Sequence, residues 1–289
     1  MYPSEFEYHR AASIKEAIGL IRRYGEDAKL LSGGHSLLPI LKMRLAQPRH
    51  LVDIARIAEL GQVTEQGGRI VVGAAARHHQ VHTSELIRSK LGLLAECAGN
   101  IGDVQVRNRG TIGGSLAHSD PAADYPAAVL ALEGEVRLEG PAGARSVKAS
   151  DFFVDLMTTA IQPGEILTAV SFAPLPAGAG YAYLKHRQPA SGFAMVGVAA
   201  LLTLDQGGKC QDARVGITGL GAKAFRAAAV ESAINGKAPD GKALADAAAH
   251  AADGVDPLGD IHASPDFRAE LARVYTRRAL EAAAARARR

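Results

Sequence analysis

Two stretches of this sequence put paired glycines beside hydroxyl side chains: Ser32-Gly33-Gly34-His35-Ser36 and Thr111-Ile112-Gly113-Gly114-Ser115. The chemistry such a stretch serves is the holding of a polyanion. A diphosphate carries about two negative charges and needs several donors at close range. Glycine lets the backbone approach without a Cβ in the way and adopts φ > 0 readily. Successive backbone N–H groups then form an anion-binding concavity, and the hydroxyls of Ser32, Ser36, Thr111 and Ser115 add further donors. One Gly-Gly turn between a strand and a helix is ordinary architecture; two of similar pattern favour a shared ligand. Neither turn belongs to a P-loop, because no Gly-x4-Gly-Lys-Ser/Thr run exists, and none opens a βαβ unit with the Gly-x-Gly-x-x-Gly fingerprint.

Other chemistry-bearing residues read more plainly. His78, His79 and His82 have helical spacing, yet no carboxylate completes a metal pattern around them, so no metal is expected. The cysteines, Cys97 and Cys210, are far apart in sequence. The chain alone can therefore hold neither an iron–sulfur cluster nor a disulfide framework. Asp124 stands before Tyr125-Pro126, where it reads as a helix N-cap. Lys185, taken alone, is a solvated strand residue. Arg107 and Arg109, flanking Asn108, read as either phosphate-contacting or surface ion-pairing groups, the second being preferred. His35 reads as a turn residue, and His118 as one that lines a cleft.

The elements that must position these turns follow from pattern. Ser13-Ile14-Lys15-Glu16 is a capping box, Ile14, Ala17, Ile18 and Ile21 make one apolar helix face, and Gly25 stops that helix. Ala28 to Leu31 is a strand running into the first glycine turn; Leu37 to Leu45 is a helix with Pro39 in its first turn; His50 to Ile54 is a strand. Arg69 to Ala74 is a buried strand and Ser89 to Ala98 a helix. The second glycine turn follows within the irregular stretch from Asn100 to Ser115. Pro126 to Leu132 is a helix, and Glu135–Leu138, Arg145–Lys148 and Glu165–Phe172 are strands. Pro174 to Gly180 marks a boundary. Beyond it come strands Tyr181–Lys185, Phe193–Leu204 and Ala213–Leu220, a hairpin turn at Asp205-Gln206-Gly207-Gly208, and helices Ala222–Asn235, Gly241–Asp253 and Ser264–Arg289. The last starts with a Ser264 cap and Pro265 at its first position. Arg286, Arg288 and Arg289 end it, where cations suit the helix dipole.

Composition sets the outer limits. In 289 residues, 47% are hydrophobic, enough for a substantial core, and the net charge of +3 is spread along the chain rather than gathered into a nucleic-acid face. No apolar run approaches the ~18 residues of a membrane span. The N-terminus lacks the basic-then-apolar order of a signal peptide. A cytoplasmic protein is expected.

The residues also resemble a known family. Ser32 to Leu45 is similar to the first flavin signature of the FAD-binding medium subunits of molybdenum hydroxylases, the xanthine dehydrogenase and aerobic carbon monoxide dehydrogenase type. Gln105 to Pro126 is similar to the second, and the likeness runs from about Phe6 into the C-terminal helix. The resemblance implies an α+β fold, the two-lobed flavin-binding fold of the vanillyl alcohol oxidase and p-cresol methylhydroxylase type, followed by three antiparallel strands and a helical bundle. The implied division is a FAD-binding domain over 1–177 (small lobe about 1–57, larger lobe about 58–177) and a C-terminal domain over 178–289. It implies FAD contacts from Ser32, Gly33, Gly34, His35, Ser36 and Leu37, from Thr111, Ile112, Gly113, Gly114, Ser115 and His118, and from Ile101, Asp124, Leu167 and Lys185. Phe193 falls where carbon monoxide dehydrogenase relatives carry a tyrosine over the flavin ring, so the ring surface is kept and the hydroxyl lost. With only two cysteines, the benzoyl-CoA-reducing branch, which adds a cysteine-bearing cluster insertion, is excluded.

The function that the resemblance implies is electron transfer without substrate chemistry in this chain, hence no catalytic residue here. Substrate is oxidised at a molybdenum cofactor on a large subunit, two 2Fe–2S clusters on a small subunit relay electrons to FAD, and FAD passes them to an external acceptor. The expected assembly is a dimer of heterotrimers, in the cytoplasm or held at the inner membrane face through the complex, without nucleic acid. Two rival readings are a stand-alone flavin oxidase of the same fold and a nucleotide-binding assembly module without flavin. A cap domain for the first has little room in this length, and the two intact glycine turns argue against the second.

Overall fold

The structure is a computed structural model that describes residues 1–287. Three larger sheets organise it, beside a two-stranded one of Phe153–Asp155 and Thr158–Thr159. The first is parallel, with strand His50–Asp53 between Glu7–Arg10 and Ala28–Leu31. Helix Ile14–Tyr24 crosses over this sheet because its apolar face needs cover: Ala17 is buried with Val52, Ile54 and Ile57. Ser13 Oγ accepts from Glu16 N–H at 3.1 Å and the Glu16 carboxylate accepts from Ala12 N–H at 2.8 Å, so the capping box closes one residue outside its usual frame. Gly25, at φ +54°, ends the helix.

The second sheet is antiparallel and five-stranded, in the order Val63–Gln66, Arg69–Gly73, Ile166–Phe172, Glu135–Gly140, Gly143–Lys148. Helices Gly92–Gly99 and Tyr125–Ala131 are buried almost all round between it and the strands that follow residue 179. The third sheet carries Gly180–Arg187, Ala194–Leu204, Cys210–Thr218 and Phe225–Arg226, all antiparallel, with the long helix Pro265–Ala287 packed over its first two strands. Ser264 Oγ accepts from Phe267 N–H at 3.2 Å, so the expected cap is formed.

Several elements differ from the sequence expectation, each for a local reason. Strand Val63–Gln66 forms because Gly67 and Gly68, at φ +56° and +74°, close a tight hairpin onto Arg69. The helix expected from Ser89 is two helices, Glu85–Lys90 and Gly92–Gly99. The break lies at Leu91, whose side chain is buried, and Gly92 has no Cβ because the Tyr181 ring occupies that space. The segment from Ala222 does not begin as a helix: Phe225–Arg226 adds a fourth strand, and helix Ala228–Ile234 follows. The second glycine turn is itself the first turn of a helix, Ile112–His118. Arg286 donates to Glu96 at 2.6 Å and to the Tyr181 carbonyl, so it clasps the chain end to the rest of the molecule rather than serving the helix dipole alone. Arg288 and Arg289 lie outside the described residues.

Candidate functional site

A cleft of about 610 Å³ runs between the parallel sheet and the second sheet, within the size range of cofactor sites. Both glycine turns meet at its floor. Ser32 Oγ and Thr111 Oγ1 are 3.2 Å apart. A Cβ on Gly33 would stand 2.5 Å from the Arg109 carbonyl oxygen, so glycine is required there for the two turns to touch.

The turns are built differently. The first leaves strand Ala28–Leu31 and enters helix Leu37–Lys42, with Gly34 at φ +75° and His35 Nδ1 at 3.2 Å from the Gly33 carbonyl. Among the described residues, the N–H groups of Gly33, Gly34, His35, Ser36 and Leu37 have no protein acceptor. Five adjacent donors on a cleft wall are the arrangement an anion needs. In the second turn the N–H groups are already used. Ile112 donates to Ala76 O at 3.0 Å, Gly113 to Ala74 O at 2.9 Å, Gly114 to Thr111 Oγ1 at 3.2 Å and Ser115 to Thr111 O at 3.0 Å. That turn is stitched to the strand end beneath it and offers the cleft its exposed Gly114 and the Ser115 side chain. A Cβ on Gly113 would lie 2.5 Å from Ala74 Cβ, so this glycine serves packing against the strand.

Beside the first turn a smaller cavity of about 180 Å³ gathers Arg56, Arg77 and Arg109 against the single carboxylate of Asp53. This makes that end of the cleft electropositive. Arg107 is spent on structure, donating to the carbonyls of Ile101 (2.9 Å) and Gly102 (3.1 Å) and fixing Ile101 on the cleft wall.

At the other end stands a buried polar cluster. Asp124 occupies the N-cap position of helix Tyr125–Ala131 but makes no capping hydrogen bond. Its carboxylate accepts instead from Tyr183 Oη at 2.5 Å and from Lys185 Nζ at 2.8 Å. Burial pushes the Asp124 carboxyl up from its ordinary range, and Lys185 and the Tyr183 hydroxyl pull it back. Lys185 is not solvated: its side chain is 1% exposed and also donates to the Gly192 carbonyl at 2.6 Å. It reaches the cleft through Asp124 and the loop carrying Phe193 rather than by lining it, because its ammonium is consumed by those two partners. Tyr183, two residues earlier on the same strand face, was not anticipated; the period-2 alternation with Lys185 carried that signal.

Of the residues expected to touch the cofactor, the cleft is lined by Ser32 to Leu37, Ile101, Thr111, Gly113, Gly114, Ser115, His118, Asp124, Leu167 and Phe193. Ile112 is not among them: its side chain is fully buried in the core. Phe193 is 44% exposed and faces the cleft. His78, read from sequence only as an unlikely metal ligand, also lines it. It packs edge-on against Tyr125 at 5.2 Å, and burial drives its pKa down to about 3. Its Nδ1 and the Tyr125 hydroxyl have no protein partner among the described residues. His82 instead faces the Ala95 carbonyl at 3.0 Å, so the three histidines do not converge.

These features fit FAD, the group that the sequence resemblance implies. The unbonded N–H row suits a diphosphate, the cleft volume suits a large cofactor, and Phe193, Ile101 and Leu167 supply apolar surface for a ring system. Comparisons with known proteins agree. Residues 4–176 match the family described as FAD binding domain in molybdopterin dehydrogenase, and residues 181–283 match the CO dehydrogenase flavoprotein C-terminal domain. The chain is 41% identical over 287 residues to the carbon monoxide dehydrogenase medium chain of Afipia carboxidovorans, covering 99% of each. It is 37% identical to the 6-hydroxypseudooxynicotine dehydrogenase complex subunit alpha of Paenarthrobacter nicotinovorans, covering 100% of this chain and 97% of that one. Among solved structures it superposes on carbon monoxide dehydrogenase from Hydrogenophaga pseudoflava with a TM-score of 0.96 and 41% identity, covering 99% of both chains. The chain therefore belongs to the family of FAD-binding medium subunits of molybdenum hydroxylases, and it is an oxidoreductase subunit. No helix among the described residues is long and apolar enough to cross a membrane.

Proposed function

We propose that this chain binds one FAD non-covalently with its diphosphate on the N–H row from Gly33 to Leu37. In this reading Ser32, Ser36, Thr111 and Ser115 add hydroxyl donors, Gly114 and His118 border the polar chain while Gly113 seats the second turn on the strand beneath it, and Ile101, Leu167 and Phe193 flank the isoalloxazine. The observation that carries this is the row of five unbonded donors beside a cluster of arginines. Bound flavin supplies redox chemistry that side chains lack, holding two electrons and exchanging them singly or in pairs. The residues do the rest. Asp124 and Lys185 hold the Phe193 loop and fix charge behind the ring, while Phe193 restricts solvent at one face. Residues 1–177 serve as the FAD-binding part and 178–289 as the C-terminal part.

The chain works within a larger assembly. A small subunit with two 2Fe–2S clusters delivers electrons, a large subunit carries the molybdenum cofactor and the substrate site, and an external acceptor drains the flavin. Two such heterotrimers associate in the cytoplasm, with any membrane contact made through the complex. The two named relatives act in complexes whose names carry chemically unlike substrates, carbon monoxide and 6-hydroxypseudooxynicotine, while resembling this chain along nearly its full length. That supports substrate choice residing outside this subunit.

Purified chain should release one equivalent of yellow chromophore on heating or acid treatment. Flavin retained on denatured protein would overturn non-covalent binding, and zero occupancy after reconstitution would overturn the reading altogether. Co-expression with adjacent reading frames should yield a complex containing Mo, Fe and FAD. Full turnover of an organic substrate by the isolated, metal-free chain would favour a stand-alone oxidase.

A further inference from the structure

At the end of the parallel sheet opposite the first glycine turn, three donor atoms from two strands converge. Glu7 and His9 lie two residues apart on the edge strand and so share one face; His50 pairs in register with Glu7 on the central strand and joins that face. His9 Nε2 is 3.1 Å from His50 Nδ1, and Glu7 Oε2 lies 3.6 Å from the first and 3.5 Å from the second. A triangle with those sides has its centre about 2.0 Å from each corner, the length of a Zn–N or Zn–O bond. The edges also approach the donor spacing of a tetrahedral ion. Among the described residues this is the one group of three such side chains close enough to share an ion.

We propose that Glu7, His9 and His50 form a divalent transition-metal site of the kind Zn²⁺ fills, with the fourth position open to water. Two imidazoles and a carboxylate are the donor set of open zinc sites. The rings are held before any ion arrives. Tyr24, the last residue of the crossing helix, stacks on His50 with centroids 3.7 Å apart and on His9 at 5.0 Å. The imidazoles are 21% and 15% exposed and Glu7 71%, so the site is fixed on its protein side and reachable from solvent. Without an ion the pair makes a single histidine–histidine hydrogen bond, with Glu7 in a loose 3.5–3.6 Å contact to both rings; an ion uses all three donors. Arg23 lies over the Tyr24 ring at 5.2 Å, so neighbouring charge gives the ion no help, and affinity rests on the three ligands. The bound ion would cross-link the N-terminal edge strand to the centre of its sheet.

The test uses the full flavin-loaded chain without a histidine tag, treated with chelator and then titrated with Zn²⁺. One ion per chain should bind, with flavin content unchanged and slower amide exchange over residues 7–10. Co²⁺ in its place should give the intense visible bands of four-coordination. His9→Ala and His50→Ala should each weaken binding by at least about tenfold, on the scale of losses seen when metal-site partners are removed, whereas His79→Ala, an exposed histidine elsewhere, should not. Should either ring variant fail to fold, Glu7→Gln on the exposed carboxylate keeps the test open and should also weaken binding. Absence of Zn²⁺ uptake, or uptake equal in wild type and Glu7→Gln, would reduce the cluster to a plain imidazole pair and overturn the site.

Discussion

The two glycine turns look alike in sequence and behave unlike in the fold. The first keeps five N–H groups clear of protein acceptors and holds Gly34 at φ +75°; the second has bonded its N–H groups to Ala74, Ala76 and Thr111 before any ligand comes. One turn leaves its donors facing the cleft. The other is a seam that joins a helix to a strand end and presents hydroxyls from its rim. Similar composition thus serves two tasks, and what separates them is where each backbone donor is spent.

The sharpest test of that contrast is Gly113→Val. Its side chain would enter the Ala74 backbone, and overpacking of this kind costs roughly 1–3 kcal/mol or more. Denaturant melts should show a less stable chain, with FAD lost only in step with folded protein. A stable variant without FAD would restore direct cofactor contact to this glycine. Next in size is Gly34→Ala, which puts a side chain at positive φ for about 1–2 kcal/mol of strain. Here flavin affinity should fall about tenfold, close to 1.4 kcal/mol, through distortion of the donor row. Unchanged affinity in a fluorescence titration would mean that the row is not the diphosphate site.

A third test uses pH. His78 packs beneath the second turn, where a Cβ on Gly110 would meet its Nε2. Its pKa is lowered from 6.5 to about 3 by burial, so the neutral ring is the folded form. The unfolded chain takes the proton first, so stability is full above pH 6.5 and declines as pH falls from there toward about 3. His78→Gln should flatten that slope; an identical slope in the variant would assign it to other groups. The smallest effect is expected between the turns. A double-mutant cycle of Ser32→Ala and Thr111→Ala should report a coupling of about 0.5–1.5 kcal/mol from their 3.2 Å hydroxyl contact. Additive losses would show that the turns touch without bonding.

Much of this was legible beforehand. The capping box, Gly25, the strand before the first glycine turn and the Ser264-Pro265 start are local signals, and local signals survive folding. The hairpin at Gly67-Gly68 is legible too, as a Gly-Gly pair ahead of a buried strand. What the sequence hid depends on contacts between distant residues. Gly92 looks like any helix glycine until Tyr181 is seen filling its Cβ space. Asp124 reads as a cap because its real partners, Tyr183 and Lys185, lie some sixty residues on. Ile112 sits amid cleft-lining neighbours, and helical geometry turns it the other way. Likewise, the helical spacing of His78 and His82 says nothing of the Ala95 carbonyl that His82 faces, and His9 and His50 meet through strand pairing that no linear motif encodes.

The link from Asp124 to Lys185 has a bearing on how such proteins can be recombined. It joins the segment matched by one family model to the segment matched by the other, and Tyr183, Ala199 and Leu201 from the second segment belong to the hydrophobic core of the first. The proline- and glycine-rich stretch near 174–180 invites a crossover between homologues. A chimera joined there inherits the aspartate from one parent and the lysine and tyrosine from the other, so the buried Asp124–Tyr183–Lys185 cluster survives only where both parents agree on those three residues. The two segments are separable as text but not as heritable modules.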